Sequence, residues 1–407
     1  MRPLLSIVIP TKNRYLTLTN LVEKLLDWNS EDYEIIVQDN SEDNTPIKEF
    51  LFAYSNNSRL KYFHNRQHVT VCQNAEDAID NSTGEYVCFL GDDDGIIKQS
   101  LDIVKWMKKN AVDSLNCKQG SYCWPEFRYK NCGKKRSLAG MLIYHSHNGD
   151  LYPQDAILGL NSLLESGCLS LNGITRLYHG IVSRDTLNLL KGKTGTYFPG
   201  SIADMSSAVG LVFFAKKHYY LNFPIIISGA SGASYAGNSG KKNNITAFEH
   251  QPWFAKETIE EWSDKLPKRI VAQTVWPDAA MSALKKVGHT DLISKMNFPR
   301  IYAEYLSEFP EFGEDFELFL QSNYSVENIR AIKLQINFYM KIISKSKWRY
   351  WAKVYSIYFG INKFLNIERL DADSVGEVLT KLESKVENER KSVNNPFYQI
   401  LNSFTEC

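Results

Sequence analysis

Residues 86–97 read Tyr-Val-Cys-Phe-Leu-Gly-Asp-Asp-Asp-Gly-Ile-Ile, an apolar run that stops at three adjacent acids. A short unbroken apolar run between turn signals is typical of a strand that is buried on both faces. Asp92, Asp93 and Asp94 therefore follow the carboxyl end of a strand, and in an open α/β sheet ligands bind at this edge.

The three carboxylates repel one another by about 1 kcal/mol per pair in water, and by about 4 kcal/mol at an effective dielectric constant of about 20. A positive partner should offset this repulsion, and a hard divalent ion with oxygen ligands is the natural candidate. The alternative is a solvated acidic turn. The motifs elsewhere in the chain favour the metal.

Composition excludes several other classes of protein. The chain has 407 residues, enough for two or three domains, and its 47 Lys and Arg balance 46 Asp and Glu. This balance argues against a nonspecific nucleic-acid binder. The seven cysteines include no Cys-x-x-Cys pair, which is typical of a reducing cytoplasm. Because we find neither a signal peptide nor an apolar run of roughly 18 residues, we expect a soluble or membrane-peripheral protein.

The first hundred residues alternate between strand and helix patterns. Strand patterns cover residues 4–10, 33–38 and 60–64 and the run from residue 86, and amphipathic helix patterns lie between them. This alternation predicts an α/β fold with a mostly parallel, Rossmann-like sheet flanked by helices. The loops after the first, second and fourth strands then share one edge, which brings Arg14 and Asp39 close to the acidic triplet.

Three motifs in this region resemble those of family 2 glycosyltransferases. They are SIVIPTKNR at residues 6–14, VQDNSEDNT at residues 37–45 and GEYVCFLGDDD at residues 84–94. Their order and spacing also resemble the family pattern, which makes the resemblance more specific than any single motif. It covers roughly the first hundred residues and extends more loosely to about Gly237.

The resemblance implies a GT-A fold that binds a nucleotide-sugar, UDP-linked in our interpretation, and a divalent metal, Mn or Mg. Thr11, Arg14 and Asp92 would contact the nucleotide, and Asp39 would hydrogen-bond the base or the ribose. Asp92, Asp93 and Asp94 would form the Asp-x-Asp type of metal site. Two points stay open. An Asp at a strand end is often only a turn former, and Gly91 replaces the first acid of many relatives, so which two acids bind the metal is undecided.

The resemblance also points to a catalytic base in the second half of the chain. Asp204 matches the Glu-Asp site before a helix in relatives, with Ala203 in place of the Glu. We predict that Ser201 caps this helix, which puts Asp204 at the third helical position and lets the helix run to Phe214. Asp204 is then the general base that accepts a proton from the acceptor. The alternative role is a carboxylate that favours the helix dipole.

Acceptor contacts are predicted in two further stretches. Residues 117–150 read as an irregular excursion rich in aromatic residues, in which Trp124 could stack on a sugar ring. The alternative is a satellite apolar cluster under a long loop. Residues 172–184 resemble the acceptor-side strand of the family and contain His179, for which the alternative is a purely structural role.

The rest of the chain has helical periodicity. Residues 238–244 form a small-residue loop with two lysines that could close over a diphosphate, or could be a linker. Residues 328–367 contain no acid and interleave cations with aromatic residues, which is typical of a helix that lies on an anionic membrane. The alternative is a helix packed on its own domain. Residues 371–391 have mixed charge and predict a solvated helix.

These observations predict three regions: a nucleotide-sugar-binding half at 1–110, an acceptor-binding half at 111–237 and a helical C-terminal region at 238–407. The function implied by the resemblance is a metal-dependent, inverting transfer of a sugar to a saccharide or lipid-linked acceptor. Surface polysaccharide such as O-antigen or capsule would be the product, made in the cytoplasm at the inner face of the membrane. We expect no nucleic-acid partner, and oligomerisation stays open.

Two other functions compete with this prediction. One is a nucleotidyltransferase, which would favour a glycine-rich loop after the first strand, whereas residues 10–14 contain no glycine. The other is a catalytically silent binding module with the same fold, against which the retained acids argue.

Overall fold

The computed structural model describes residues 2–126, 138–145, 147–234, 248, 253–358 and 367–404, with only the backbone at 349–358 and 367. The predicted loop at 238–244 lies outside the described residues.

The first four strands form the predicted parallel sheet. They are β1 (Leu5–Thr11), β2 (Tyr33–Asp39), β3 (Leu60–His64) and β4 (Tyr86–Phe89). β1 lies between β2 and β4, and β3 pairs with the outer side of β2, all in parallel. The register places Thr11 opposite Asp39. The α/β prediction is confirmed, and the carboxyl ends of these strands meet at one edge.

Helices cover both faces of this sheet. They are α1 (Tyr15–Leu26), α2 (Lys48–Ala53), α3 (Val71–Asp80) and α4 (Ser100–Lys109). Successive residues of a strand point to opposite faces of the sheet, and β1 has apolar side chains on both faces. Ile7 and Ile9 pack in the core formed with α1 and α4, whereas Val8 packs in the core formed with α3. This double burial explains why residues 7–9 of β1 are all apolar.

Residues 95–230 add mainly antiparallel strands to the same sheet. They are β5 (Gly95–Ile96), β6 (Ser114–Cys123), β7 (Met141–His145), β8 (Leu151–Pro153), β9 (Gly180–Ser183) and β10 (His218–Ala230). β9 joins the four parallel strands to the later strands of the sheet, because it pairs with both β4 and β6. The long strand β10 runs parallel to β6. The predicted strand at 172–184 is limited to β9, and the region 117–150 contains β6 and β7 rather than only irregular chain.

Three helices accompany these strands: α5 (Ala156–Glu165), α6 (Arg184–Thr194) and α7 (Ala203–Leu211). The capping prediction for α7 is wrong, because Ile202 is the N-cap residue and Asp204 is the second helical residue. The Ser201 hydroxyl donates instead to Asp278 Oδ2 at 3.5 Å. The helix ends at Leu211, before the predicted Phe214.

The next helices form a second core. They are α8 (Lys256–Glu260), α9 (Ala272–Val287), α10 (Phe298–Glu308), α11 (Gly313–Asn323) and α12 (Val326–Tyr358). Apolar side chains of α9, α10 and α12 pack there against α5 and α7. No helix in the described parts of the chain is both long and apolar enough to cross a membrane.

The last segment returns to the sheet. It consists of β11 (Ile367–Asp371), which pairs with β7, followed by α13 (Val375–Glu389) and α14 (Pro396–Ser403). α13 is not simply solvated as predicted, because Val378, Leu382 and Val386 are buried in the first core. Their spacing gives the helix one apolar face, which lies against α1. The predicted boundary at 237/238 stays a prediction, but residues 367–404 pack with the first half of the chain.

Candidate functional site

The acidic triplet lies in the turn between β4 and β5, at the carboxyl edge of the parallel strands. The exposed fractions of Asp92, Asp93 and Asp94 are 0%, 3% and 0%. A solvated acidic turn is therefore not what the structure contains. Carboxylates at this depth require specific partners, and the three acids have different ones.

Asp92 receives two charge-stabilising contacts on one oxygen. Thr11 Oγ1 donates to Oδ2 at 2.5 Å, and Arg14 Nε lies 3.0 Å from the same atom. The other oxygen, Oδ1, is buried and has no hydrogen-bond partner among the described residues. Burial raises the pKa of Asp92 to about 7, with Arg14 opposing the shift and Asp93 adding to it. Arg14 is one positive partner that the triplet required, but it leaves Oδ1 without compensation.

One oxygen of Asp93 is hydrogen-bonded to the chain, and the other faces Arg14 at a longer distance. The Ser231 N–H donates to Oδ2 at 3.0 Å, and Arg14 Nη1 lies 3.9 Å from Oδ1. The indole N–H of Trp124 donates to the main-chain oxygen of Asp93 at 2.9 Å. Burial, followed by repulsion from Asp94, raises the pKa of this carboxyl. Asp93 therefore shares with Asp92 an incomplete compensation of its negative charge.

Asp94 is held by four groups from three segments. Oδ1 accepts from the Gly229 N–H at 2.7 Å, and Oδ2 accepts from the Gly91 N–H at 2.6 Å. Oδ2 also lies 3.0 Å from the Tyr178 hydroxyl and 2.7 Å from His179 Nε2. Burial alone would raise the pKa of Asp94, but His179 and the two backbone donors together lower it below its usual value.

Gly91 leaves the space that these contacts need. A Cβ atom at residue 91 would lie 3.0 Å from Asp94 Oδ2 and 3.1 Å from the Tyr178 hydroxyl oxygen. Both distances are tighter than ordinary van der Waals contact. Gly91, which replaces the first acid of the family motif, thus leaves room for the groups that hydrogen-bond Asp94.

Asp39 lies at the end of β2 and is fully buried. Its Oδ1 accepts from the N–H and the hydroxyl of Ser41 at 2.8 and 2.5 Å. Its Oδ2 accepts from the hydroxyls of Tyr15 and Tyr62 at 2.7 and 2.6 Å. Because these donors already fill the carboxylate, contact with a nucleotide would require one of them to move. The binding role of Asp39 stays a prediction.

Two adjoining cavities open at this edge of the sheet. The first, of about 350 Å³, is lined in part by Thr11, Arg14, Gly91, Tyr178 and Asp204. The second, of about 340 Å³, is lined in part by Ser41, Glu42, Asn65, Arg66 and Gln67. Both have walls made by Lys12, Asn40, His68 and Trp253. Each volume is within the range of small-ligand sites.

Asp204 lines the first cavity, whereas the residues of the acidic triplet do not. Its Oδ1 accepts from the Met205 N–H at 2.7 Å, in the first turn of α7. Burial raises the pKa of Asp204, and the Met205 N–H and His179 oppose this shift only in part. A raised pKa brings a carboxylate nearer to the pH at which it can act as a base. Three residues that were predicted from the sequence line this same cavity: Thr11, Arg14 and Asp204.

Trp124 and His179, which were predicted to contact the acceptor, are both buried. Trp124 is buried, with its ring centroid 5.7 Å from that of Tyr122. His179 is also buried, beside Asp94. Neither lines the two cavities described above. Their predicted acceptor roles stay predictions, and direct stacking by Trp124 would require its ring to leave the core.

The sequence analysis did not predict several residues of this site. Tyr178, Gly229 and Ser231 contact the triplet, and Trp253 lines both cavities. Tyr178 adjoins His179 and Ser231 lies in a small-residue stretch, which were the available signals. Nothing in the local sequence indicated Trp253, because its position depends on how the helical region packs.

Comparison with known proteins agrees with the motifs. The sequence pattern described as "Glycosyl transferase family 2" matches residues 6–163. This stretch, which is less than half of the chain, is similar to glycosyltransferase family 2 domains. The α/β architecture around it is of the GT-A type expected from the motifs, followed by a helical C-terminal region.

Two curated relatives match parts of the chain. A Campylobacter jejuni protein named GalNAc(5)-diNAcBac-PP-undecaprenol beta-1,3-glucosyltransferase is 32% identical over 100 residues, which are 24% of this chain and 32% of that protein. An uncharacterized glycosyltransferase of Rickettsia felis is 30% identical over 152 residues, 37% of this chain and 23% of that protein. The chain thus spans less than a third of the length of either relative.

Among solved structures, Staphylococcus aureus TarS 1–349 in complex with UDP-GlcNAc is 14% identical with a TM-score of 0.45, covering 86% of this chain and 92% of that one. A mannosyltransferase from Pyrobaculum calidifontis in complex with GDP-Man and Mn²⁺ is 14% identical with a TM-score of 0.37, covering 84% and 87%. At such identities and scores nothing about ligands transfers to this chain. Within the described residues, no three His, Cys, Asp or Glu side chains are grouped to hold a metal.

Proposed function

We propose that the chain is a metal-dependent, inverting glycosyltransferase that moves a sugar from a nucleotide-sugar to an acceptor hydroxyl. The observation that carries this proposal is the uncompensated Oδ1 of Asp92, buried beside Thr11 and Arg14. Those two residues line the same cavity as Asp204. One cavity thus adjoins an acid pair short of positive charge and a separate acid suited to proton transfer.

Asp92 and Asp93 fit a divalent metal. Burial raises the pKa of both acids, and Arg14 opposes this shift only in part. The ionised pair therefore has too little positive charge beside it. Mg²⁺ is usually bound by one or two carboxylates together with substrate phosphates, so a complete protein cage is not needed. A divalent ion held by these acids would stabilise the negative charge that develops on the leaving diphosphate. Mn²⁺ or Mg²⁺ would serve.

The cationic side chains of the cavity suit a diphosphate. Arg14 is only partly buried and lies between the acids and the first cavity, so its guanidinium can contact both Asp92 and a phosphate. Lys12 lines both cavities. We assign the diphosphate to the first cavity and the nucleoside to the second, which begins at Asn40 and Ser41 beside Asp39. A uracil base, selected through its N–H, remains our choice of base.

Asp204 is the proposed general base. It would take the proton of the acceptor hydroxyl while that oxygen attacks the anomeric carbon of the donor sugar. The bond from this carbon to the diphosphate oxygen breaks, and its electron pair leaves with the nucleoside diphosphate. Because the attack comes from the face opposite the leaving group, one displacement inverts the anomeric centre.

A lipid-linked acceptor is the second part of the proposal, and α12 supports it. Six exposed side chains lie within about 40° of one line along this helix at 3.6 residues per turn. This outer stripe consists of Arg330, Leu334, Phe338, Lys341, Lys345 and Trp348. The exposed fractions of Leu334, Phe338 and Trp348 are 73%, 58% and 74%. On the opposite face, Ile336 and Ile343 are buried in the second core.

Large apolar side chains alternating with cations suit the headgroup region of an anionic membrane. The name of the Campylobacter jejuni relative includes a PP-undecaprenol acceptor, which is a lipid-linked sugar. We therefore propose that the enzyme works in the cytoplasm at the inner face of the cell membrane, on a lipid-linked intermediate of a surface polysaccharide. A soluble saccharide is the alternative acceptor.

Donor binding and donor cleavage test the proposed function. We expect UDP with Mn²⁺ to raise the melting temperature of the chain, since a ligand at about 100 times its Kd stabilises the folded state by about 2.7 kcal/mol. The Asp92→Asn variant is the control, because it should lose the metal-dependent part of the shift. Failure of every nucleoside diphosphate to stabilise the wild type would contradict the proposal.

The products distinguish the competing functions. A glycosyltransferase incubated with a UDP-sugar and Mn²⁺ releases UDP slowly, by transfer to water. A nucleotidyltransferase would release pyrophosphate from a nucleoside triphosphate and a sugar phosphate. A silent binding module would bind UDP but release no product from either mixture.

A further inference from the structure

We propose that Asp94 and His179 are positioning residues that hold Asp92 and Asp93 in place, and that Asp94 is not itself a metal ligand. This inference rests on the proposed function, since it divides the acidic triplet into a pair that binds the metal and an acid that binds the chain.

The hydrogen bonds of Asp94 engage both of its oxygens. Oδ2 has three partners, the Gly91 N–H, the Tyr178 hydroxyl and His179 Nε2, and Oδ1 accepts from the Gly229 N–H. Each oxygen offers about two lone-pair sites, so a metal at Oδ2 would leave a buried donor without a partner, which is unfavourable. A metal at Oδ1 would compete for the oxygen that holds Gly229.

The other two acids differ from Asp94 in this respect. Asp92 Oδ1 has no hydrogen-bond partner in the described parts of the chain. Asp93 Oδ1 has Arg14 Nη1 at 3.9 Å, which is beyond hydrogen-bond distance. A cation that contacts these two oxygens would displace no hydrogen bond of the fold.

His179 is placed for its contact with Asp94. Its φ is +60°, in the left-handed region that a residue with a Cβ adopts only at a cost. Its N–H donates to the Phe89 oxygen at 3.1 Å, at the end of β4. The ring stacks on Tyr178 with centroids 3.9 Å apart, and Gln119 Nε2 lies 3.0 Å from Nδ1. A donor on Gln119 leaves Nε2 as the nitrogen that carries a proton toward Asp94.

The contacts of Asp94 join the acidic triplet to the end of β10. Gly229 lies so close that a Cβ atom there would be 1.8 Å from the Asp93 main-chain oxygen. Two residues on, the Ser231 N–H donates to Asp93 Oδ2. Loss of the Asp94 contacts would therefore release Gly229 and displace Asp93, which binds the metal.

The test measures Mn²⁺ affinity in the presence of UDP, by the electron paramagnetic resonance signal of free Mn²⁺. Asp93→Asn removes a ligand and should weaken binding more than a hundredfold. Asp94→Asn and His179→Asn should each weaken it about tenfold, the scale of supporting contacts around a metal. The double variant should also lose about tenfold rather than a hundredfold, because the two residues act through one contact.

Two further variants separate positioning from general destabilisation. His179→Gln carries an amide that can reach the Nε2 position and should bind Mn²⁺ within about threefold of the wild type, whereas the shorter Asn cannot reach. Leu25→Ala truncates a buried core residue near the start of β2, at the opposite edge of the sheet from the triplet. It should lower the melting temperature but leave Mn²⁺ affinity unchanged.

Melting without metal gives an independent readout. Asp94→Asn and His179→Asn should lower the melting temperature, while Asp93→Asn should raise it or leave it unchanged, since it removes a repelling charge. Loss of Mn²⁺ binding in Asp94→Asn to the same extent as in Asp93→Asn, with His179→Asn unaffected, would overturn this inference alone. A wild-type chain that binds no Mn²⁺ with UDP would overturn the proposed function and this inference with it.

Discussion

The outer stripe of α12 allows a quantitative prediction about membrane binding. Changing Lys341 and Lys345 to Gln removes two exposed cations from the stripe and leaves its apolar residues intact. Each Lys or Arg near an anionic leaflet contributes about 1 kcal/mol, so the double change should cost about 2 kcal/mol. At 1.4 kcal/mol per factor of ten, the partition coefficient should fall roughly 30-fold.

The same helix provides a matched control. Lys333 and Lys347 lie off the stripe and pair with Glu317 and Glu308, with Nζ to Oε2 distances of 2.6 and 3.0 Å. Changing both to Gln removes the same formal charge from positions that the stripe does not use. We expect this control variant to bind anionic vesicles within about threefold of the wild type, because these two positions face away from the surface that would meet the lipid.

The assay is flotation with anionic and with neutral liposomes, at low salt and at high salt, on chains whose unchanged melting temperature shows that they are folded. Binding should require anionic lipid and should weaken as salt screens the charges, since the Debye length falls to about 3 Å at 1 M. The reasoning is refuted if the intact chain ignores anionic liposomes at low salt, or if both double variants lose binding equally. The stripe would then contact a protein or a second copy of the chain, and the acceptor would be soluble.

Three other predictions concern single acids. Asp204→Asn should lower kcat about a hundredfold or more without changing UDP-dependent stabilisation. Because the pKa of Asp204 in the free enzyme is raised, the acid limb of kcat/KM should lie above the usual aspartate range and vanish in the variant, whereas loss of donor affinity alone would move Asp204 into the nucleotide site. Asp39→Ala should weaken UDP binding by about 1 to 3 kcal/mol in calorimetry, and equal affinity would leave it a turn residue. Burial raises the pKa of Asp278 to about 7, so the folded state binds its proton more tightly than the unfolded state and stability falls as pH rises from about 4 to 7. Asp278→Asn should flatten that decline in melting temperature and be the more stable form at pH of about 8, by at most about 4 kcal/mol; an unchanged pH profile would show that Asp278 does not titrate in this range.

The sequence alone determined the parallel core and its functional edge. Apolar runs buried on both faces identified β1, β2 and β4, because strands covered by helices on both sides have no polar face. The alternation of strands with helices then implied parallel crossovers, which put Thr11, Arg14 and the acidic triplet at one edge. Short-range patterns suffice here since each strand, helix and turn carries its own periodicity.

The family resemblance extended the sequence analysis to chemistry but could not divide the triplet. Asp92, Asp93 and Asp94 are identical in type and adjacent, so nothing local distinguishes them. Their roles depend on which donors reach each carboxylate, and those donors come from the end of β10, from the residues before β9 and from the end of β1.

The position of the last segment depends on long-range packing. The apolar face of α13 is visible in the sequence, but periodicity reports that a face is buried and not what covers it. In the structure this face lies in the core formed with α1, and β11 extends the sheet beside β7. The same reason separates the two faces of α12: its buried face follows from contact with α10, and only that contact leaves the outer stripe free to meet another surface.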